Sequence, residues 1–210
     1  MILSTMMNKR ASSKRYSSFR FDAGSLALNF VATVRHRGSN PRDLLFSPEA
    51  LTGWFRLSGS PVVVSTVSFE AYEEALLLRE AIYRTSRSFI QHEPPDRADL
   101  DRINAGASYS PPLVQIDPLS YGVQWLCTDP VRARLYEIAR DAVMVLGNGE
   151  RTRLKMCDNR TCRMLFLDNS PPNRRRWCAM SICGNRNKAG TYRRRKQERE
   201  KGNPSGRDFS

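Results

Sequence analysis

Residues 157–162 read CDNRTC and residues 178–186 read CAMSICGNR, so four of the five cysteines fall into two pairs of one spacing, C-x4-C-x15-C-x4-C. Two close pairs across a loop are how a structural zinc ion receives its four tetrahedral ligands, and thiolates are favoured donors. Cys157, Cys162, Cys178 and Cys183 are therefore the expected ligands of one Zn2+. All four positions are sulfur and none is left for water, so the ion is expected to build the fold and not to catalyse. Four thiolates also suit an iron–sulfur cluster. Ordinary buried thiols or a redox set are further alternatives, although a thioredoxin-like pair has two intervening residues and not four. Lys155, Arg160, Arg163 and Arg176 lie nearby in sequence. They are expected to favour the thiolates and to offset the negative charge of a metal tetrathiolate. A segment of about 50 residues struggles to fold on its own core. Metal binding supplies the missing free energy, on the order of 10 kcal/mol or more.

The charge around these pairs points to a polyanion. The 210-residue chain has a net charge of +13. Residues 151–210 carry 17 Lys+Arg against 5 Asp+Glu, whereas residues 1–150 carry 17 against 16. A neutral body with a strongly basic end is the usual footprint of nucleic-acid contact, with a solvated basic tail as the plain alternative. Arg174, Arg175, Arg176 and Trp177 stand between the cysteine pairs, and GNRNKAGTYRRRKQERE follows Cys183 as residues 184–200. That second stretch reads as a helix beginning near Cys183, with Arg186 and Arg193 on one face and Lys188, Tyr192, Arg195 and Arg199 on a neighbouring stripe. Arginine suits phosphate and guanine because its fork donates two parallel hydrogen bonds. Phosphate contacts are assigned to Arg174, Arg175, Arg176, Arg193, Arg194, Arg195 and Lys196. Base-edge contacts are assigned to Arg186 and Lys188, with Asn185 or Asn187 beside them. Structural roles compete for some of these: Asn185 as a helix cap, Arg186 as a brace, Trp177 as packing under the metal fold. Gly190 weakens the helix by about 1 kcal/mol relative to alanine.

Upstream, residues 19–148 read as one mainly helical domain with a small β element, making the chain mainly α (α+β). Leu26 to Val34 is expected to be a buried helix, with a strand start as the alternative, and Phe19–Phe21 a short strand. Ser47-Pro48-Glu49 opens a helix by serine capping, proline in the first turn and an acid at the positive end. The longest helix is expected from about Ser65 to Gln91, a short one from Asp96 through Asn104, and another from Asp129-Pro130 to about Leu146. Leu113–Ile116 and Tyr121–Cys127 read as a hairpin, with Cys127 as a core residue. Gly147-Asn148-Gly149 is the expected boundary, because helix breakers and the change in charge coincide there. Residues 1–18 and 198–210 are expected to be a disordered lead and tail. No apolar run is long enough for a membrane span, and no signal-peptide pattern appears, so a cytoplasmic location follows. There is no Gly-rich phosphate loop, nucleophile constellation or credible carboxylate pair, and His36 and His92 stand alone, so no enzyme is expected.

The run RRRWCAMSICGNRNKAGTYRRRK, residues 174–196, resembles the signature of the CGNR zinc-finger proteins, the motif itself being Cys183-Gly184-Asn185-Arg186. Cys157, Cys162 and Leu165-Phe166-Leu167-Asp168 are similar to its upstream half. Residues 26–34, LALNFVATV, resemble the opening of the ABATE domain that accompanies such fingers, with Asn29 and Ala32 departing from its usual aspartate and asparagine. The resemblance implies an ABATE-like domain over 19–148 and a treble-clef or ribbon-like finger over 150–197 ending in a basic helix. It implies a bacterial transcriptional regulator that binds DNA, with the N-terminal domain sensing a small-molecule effector or forming a homodimer. RNA binding and docking of an acidic protein are the alternatives for the same basic surface.

Overall fold

The structure, a computed structural model, describes residues 18–201, with side chains left out at Arg194, Lys196, Arg199, Glu200 and Lys201. Residues 1–17 of the expected lead and the part of the expected tail from residue 202 lie outside the described residues.

Helix starts follow local chemistry. In α1 (Leu26–Val31) Ser25 accepts the Leu28 N–H, and in α2 (Pro48–Leu57) Ser47 accepts the Ala50 N–H. Ser68 does the same for α3 (Phe69–Ile90), Asp96 for α4 (Arg97–Ala107) and Asp129 for α5 (Pro130–Gly147). Each side-chain oxygen satisfies a backbone donor that the first helical turn leaves orphaned. The longest helix thus starts at Phe69 and not near Ser65, because Ser68 is the residue that caps. The segment before it is extended and buries Val62 and Val64. Phe19–Phe21 forms no strand.

The core of the helical body gathers on α2, where Trp54 packs 4.9 Å from the Phe30 ring and 5.9 Å from Phe55, centroid to centroid. α3 contributes Tyr72, Ala75, Leu78 and Ile82, a stripe at helical spacing, and α5 contributes Leu135, Ile138, Ala139 and Ala142. α1, α3 and α4 all pack against α5. On α3 the buried charges are paired: Arg79 meets Asp43 at 2.6 Å and the Thr33 hydroxyl at 3.1 Å, and Glu80 meets Arg37 at 2.8 Å. These bonds fasten the two-stranded β1 (Val34–Arg35) and β2 (Arg42–Asp43) to α3.

β3 (Leu113–Ile116) and β4 (Val123–Leu126) form the expected antiparallel hairpin, with Leu113 opposite Leu126 and Ile116 opposite Val123. Its apolar residues are exposed, and Cys127 at its base is half-buried and absent from the core, contrary to expectation. The hairpin stands off the helical layer, so the end of its second strand never reaches the interior.

β5 (Leu154–Met156) and β6 (Leu165–Leu167) are an antiparallel pair that composition did not announce. They change the meaning of the boundary near residue 148. Leu154, Leu165, Phe166 and Leu167 belong to the same apolar cluster as Ala23, Leu28 and Leu78. β5 packs on α3 and β6 on α1, and Leu167 donates to the Ala23 carbonyl at 2.7 Å. Gly24, at φ +94°, permits this approach, since a Cβ there would sit 2.9 Å from the Leu167 Cβ. The change at Gly147-Asn148-Gly149 is therefore one of surface charge, while a single core runs through both halves.

Candidate metal centre

Cys157 follows β5 directly and donates its N–H to Met164 O at 2.9 Å, closing a tight knuckle before β6. Asn159 holds the turn by accepting the N–H groups of Thr161 and Cys162, each at 3.1 Å. The second pair sits at the other end of the loop. Cys178 precedes a π-helical turn, Met180–Gly184, in which the Ala179 carbonyl accepts the Cys183 and Gly184 N–H groups at 2.9 and 3.2 Å. That turn runs straight into α6 (Asn185–Lys201), so only Gly184 separates the fourth ligand from the basic helix. The helix continues past residue 197, the end expected for the finger.

The four Sγ atoms lie within 4.8 Å of one another. Cys162–Cys178 is 3.8 Å and Cys178–Cys183 is 3.7 Å, sulfur to sulfur. A tetrahedron with Zn–S bonds of about 2.3 Å has edges of about 3.8 Å, so the cluster has the size that zinc needs. Cys157, Cys178 and Cys183 are buried and Cys162 is half-buried. The donor set and its closure fit one structural zinc ion. The neighbouring sulfurs shift the thiol pKa values in opposite directions. Hydrogen bonds from the other three sulfurs pull Cys178 down, with the Arg20 charge helping, while hydrogen bonding to its neighbours pushes Cys183 up.

The counter-charge comes from a place the sequence did not indicate. Lys155 is committed to Asp168 at 2.7 Å, Arg176 to Asp158 at 2.7 Å, and Arg160 and Arg163 are exposed. Instead Arg20, 158 residues before Cys178, donates to its Sγ at 3.4 Å from a side chain only 8% exposed. Arg35 is buried beside it, and both line a small cavity with Cys162, Cys183 and Arg186. Burial and the neighbouring Arg20 hold Arg35 below its usual pKa. An N–H···S bond to a metal thiolate lowers the charge that the site must bury. The two halves meet closely here: a Cβ on Gly38, in the β1–β2 turn, would lie 1.8 Å from the Arg160 carbonyl oxygen.

A second residue missed as a determinant is Asp168. It is fully buried and accepts Lys155 Nζ (2.7 Å), the Ser170 N–H (3.1 Å) and hydroxyl (2.6 Å), and the Arg175 N–H (2.8 Å). Burial alone would raise its pKa, but these donors hold it well below the usual carboxylate range. The signal in sequence was faint: one acid at the end of an apolar triplet.

The structure separates the proposed contact residues into two groups. Arg174, Lys188, Arg193 and Arg195 are exposed. Arg176 is exposed too, with its guanidinium 5.2 Å from the half-buried Trp177 ring. Arg175 turns inward, its guanidinium 4.9 Å from the Phe166 ring and bonded to the Cys178 carbonyl. Arg186 is half-buried on the metal side. Asn185 lies within the helix, and its Nδ2 donates to Ser181 O at 3.4 Å, so it is not an N-cap. Arg194 and Lys196 are on α6, but their side chains lie outside the described set.

Among the described residues no helix is long and apolar enough to cross a membrane. No curated protein matches the chain. Residues 24–149 match the ABATE family model, described as "Putative stress-induced transcription regulator", and residues 153–196 match the CGNR zinc finger. The second match contains all four clustered cysteines. The chain belongs to the ABATE family and carries, on the same hydrophobic core, a zinc-binding CGNR finger.

Proposed function

We propose that the chain is a DNA-binding transcriptional regulator of the cytoplasm, without catalytic activity, in which zinc sets the direction of α6 and the N-terminal body supplies effector sensing or self-association. The observation that carries this is the character of α6. Every described side chain from Asn187 to Glu198 is exposed or half-buried, and the helix holds seven Lys and Arg residues from Lys188 to Lys201 against two glutamates. A helix with no apolar face has nothing to pack on within its own fold. One rich in arginine fits the major groove, which admits a single helix and is lined by phosphates. Arg174 and Arg176 lie on the loop between the ligand pairs and add phosphate contacts. Arg175 and Arg186 brace the finger in this reading.

Fluorescence anisotropy on duplex DNA with the zinc-loaded chain tests it. Affinity should fall steeply with salt, since log K changes by about 0.9 per neutralised phosphate per decade of salt. The double variant Arg193→Glu/Arg195→Glu should weaken binding by at least tenfold while retaining zinc. A flat salt response would refute DNA binding. Stronger binding to structured RNA in competition would move the assignment to RNA.

A further inference from the structure

The β3–β4 hairpin carries an apolar face that the regulator reading leaves unused. Side chains alternate across a strand, and register partners share a face. Val114 opposite Trp125 and Ile116 opposite Val123 therefore make one face wholly apolar, at 57, 40, 73 and 70% exposure respectively. The other face is mixed: Leu113 and Leu126 are followed by Gln115 and Gln124, joined by a 3.0 Å side-chain hydrogen bond. Leu119 and Tyr121 extend the apolar surface at the turn, 89 and 84% exposed. Residues 113–126 hold one charge, Asp117, and its carboxylate is occupied by the Leu119 and Ser120 N–H groups. Two strands form the whole sheet, so each has one open edge. A two-stranded ribbon with an uncovered apolar face is marginal alone and gains from a covering layer.

We propose that this face packs against the same face of a second copy of the chain in a two-fold dimer. Three observations select that occupant. The face is uncharged, so it offers nothing to nucleic acid or to a charged partner. The body that carries it is nearly neutral over residues 1–150, with 17 cations against 16 anions, so the excess charge lies in residues 151–210 and the sequence around the face adds little repulsion. Val114, Ile116, Val123 and Trp125, with Leu119 and Tyr121 at the turn, together expose roughly 800 Å² per chain, comparable to what each partner of a standard stable interface buries. An isologous contact needs only self-complementarity, which a flat apolar ribbon has. The dimer does not depend on what α6 binds. If α6 reads DNA as proposed above, the pairing sets two finger copies at a fixed spacing, as two half-sites require.

The test is sedimentation equilibrium of the zinc-loaded full chain without DNA, over about 0.1–100 µM. A species of twice the 24.0 kDa chain mass is expected in the micromolar range. Ile116→Lys should weaken association at least 100-fold with unchanged circular dichroism and zinc content. Gln115→Lys, on the opposite face, should leave it within threefold. A chain that stays monomeric at 100 µM overturns the proposal, as does a dimer that Ile116→Lys leaves intact. Monomers whose hairpin amides are protected until residues 1–17 are deleted would assign the face to that segment, and the proposal would fall. Because DNA is absent, none of these outcomes bears on the DNA reading.

Discussion

Replacing Asp168 by alanine should uncouple the metal knuckle from its basic loop. The carboxylate is fully buried and serves Lys155, Ser170 twice and the Arg175 N–H, which leads into the cysteine-flanking arginines. Removing one partner of a buried ion pair costs about 3–5 kcal/mol, because the other charge is left without compensation. Here Lys155 is 24% exposed and also donates to the Asn173 carbonyl, so it keeps water and one acceptor. The lower end applies, about 3 kcal/mol, which is on the order of a 150-fold shift in the folding equilibrium. Folding of the knuckle and zinc binding are linked, so the apparent zinc dissociation constant should rise by about 100-fold. Asp168→Asn keeps a single oxygen, so it retains an acceptor for only one of the two backbone N–H groups, which bond to different carboxylate oxygens, and it loses the charge; it should recover less than half of the loss. Competition with a chromophoric chelator at pH 7, on the full chain, reads both variants. Zinc affinity for Asp168→Ala within threefold of wild type would refute the reasoning, as would an asparagine variant no better than alanine.

Other outcomes follow from the same geometry. Arg20→Ala removes the N–H···S bond to Cys178 and should weaken zinc binding about 10-fold or more by the same competition assay, although Arg20 lies far outside the finger in sequence. Gly38→Ala places a methyl against the Arg160 backbone and should cost about 1–3 kcal/mol in urea denaturation, with zinc released more readily. Chelation should destabilise the whole chain in one cooperative transition, because Phe166 and Leu165 share the core of α1 and α3; two separate transitions by calorimetry would contradict the shared core. Burial raises the Glu80 carboxyl, but hydrogen bonds and charge from Arg37 and Arg79 pull it below the usual range. Its stabilisation is therefore complete above about pH 4.3 and is lost as pH falls through the lower folded value. The stability gap between wild type and Glu80→Gln, followed by denaturant titration, should hold from pH 7 to about 5 and close in stronger acid.

Much of this protein is legible from residues near one another in the chain. Serine and aspartate before α2, α4 and α5 set those helix starts because a cap acts on donors two or three residues away. The hairpin at 113–126 was readable because alternation and turn residues are local. The paired cysteines announced their metal because ligands must come in close pairs to reach one ion. What the chain does not show linearly is anything carried by distant contacts. The counterion of the cluster was expected from Lys155, Arg160, Arg163 and Arg176, yet Asp158 and Asp168 hold two of these and the bond to sulfur comes from Arg20. Arg175 and Arg176 are adjacent and chemically alike, but one lies on Phe166 and the other on Trp177, because the fold decides which side of the loop is inside.

The sequence by itself determined that four thiolates bind one structural metal and that the excess positive charge sits beside them, since ligand spacing and composition are properties of the chain alone. Only the tertiary structure decided that the finger is not a separate appendage. β5 and β6 bury Leu154, Leu165, Phe166 and Leu167 against α1 and α3, and Arg20 completes the surroundings of the sulfurs from the opposite end of the chain. The physical reason is that a small metal knuckle has too little apolar surface to close its own core. It borrows that core from a partner whose identity depends on packing and long-range hydrogen bonds, which leave no periodic trace in the order of residues.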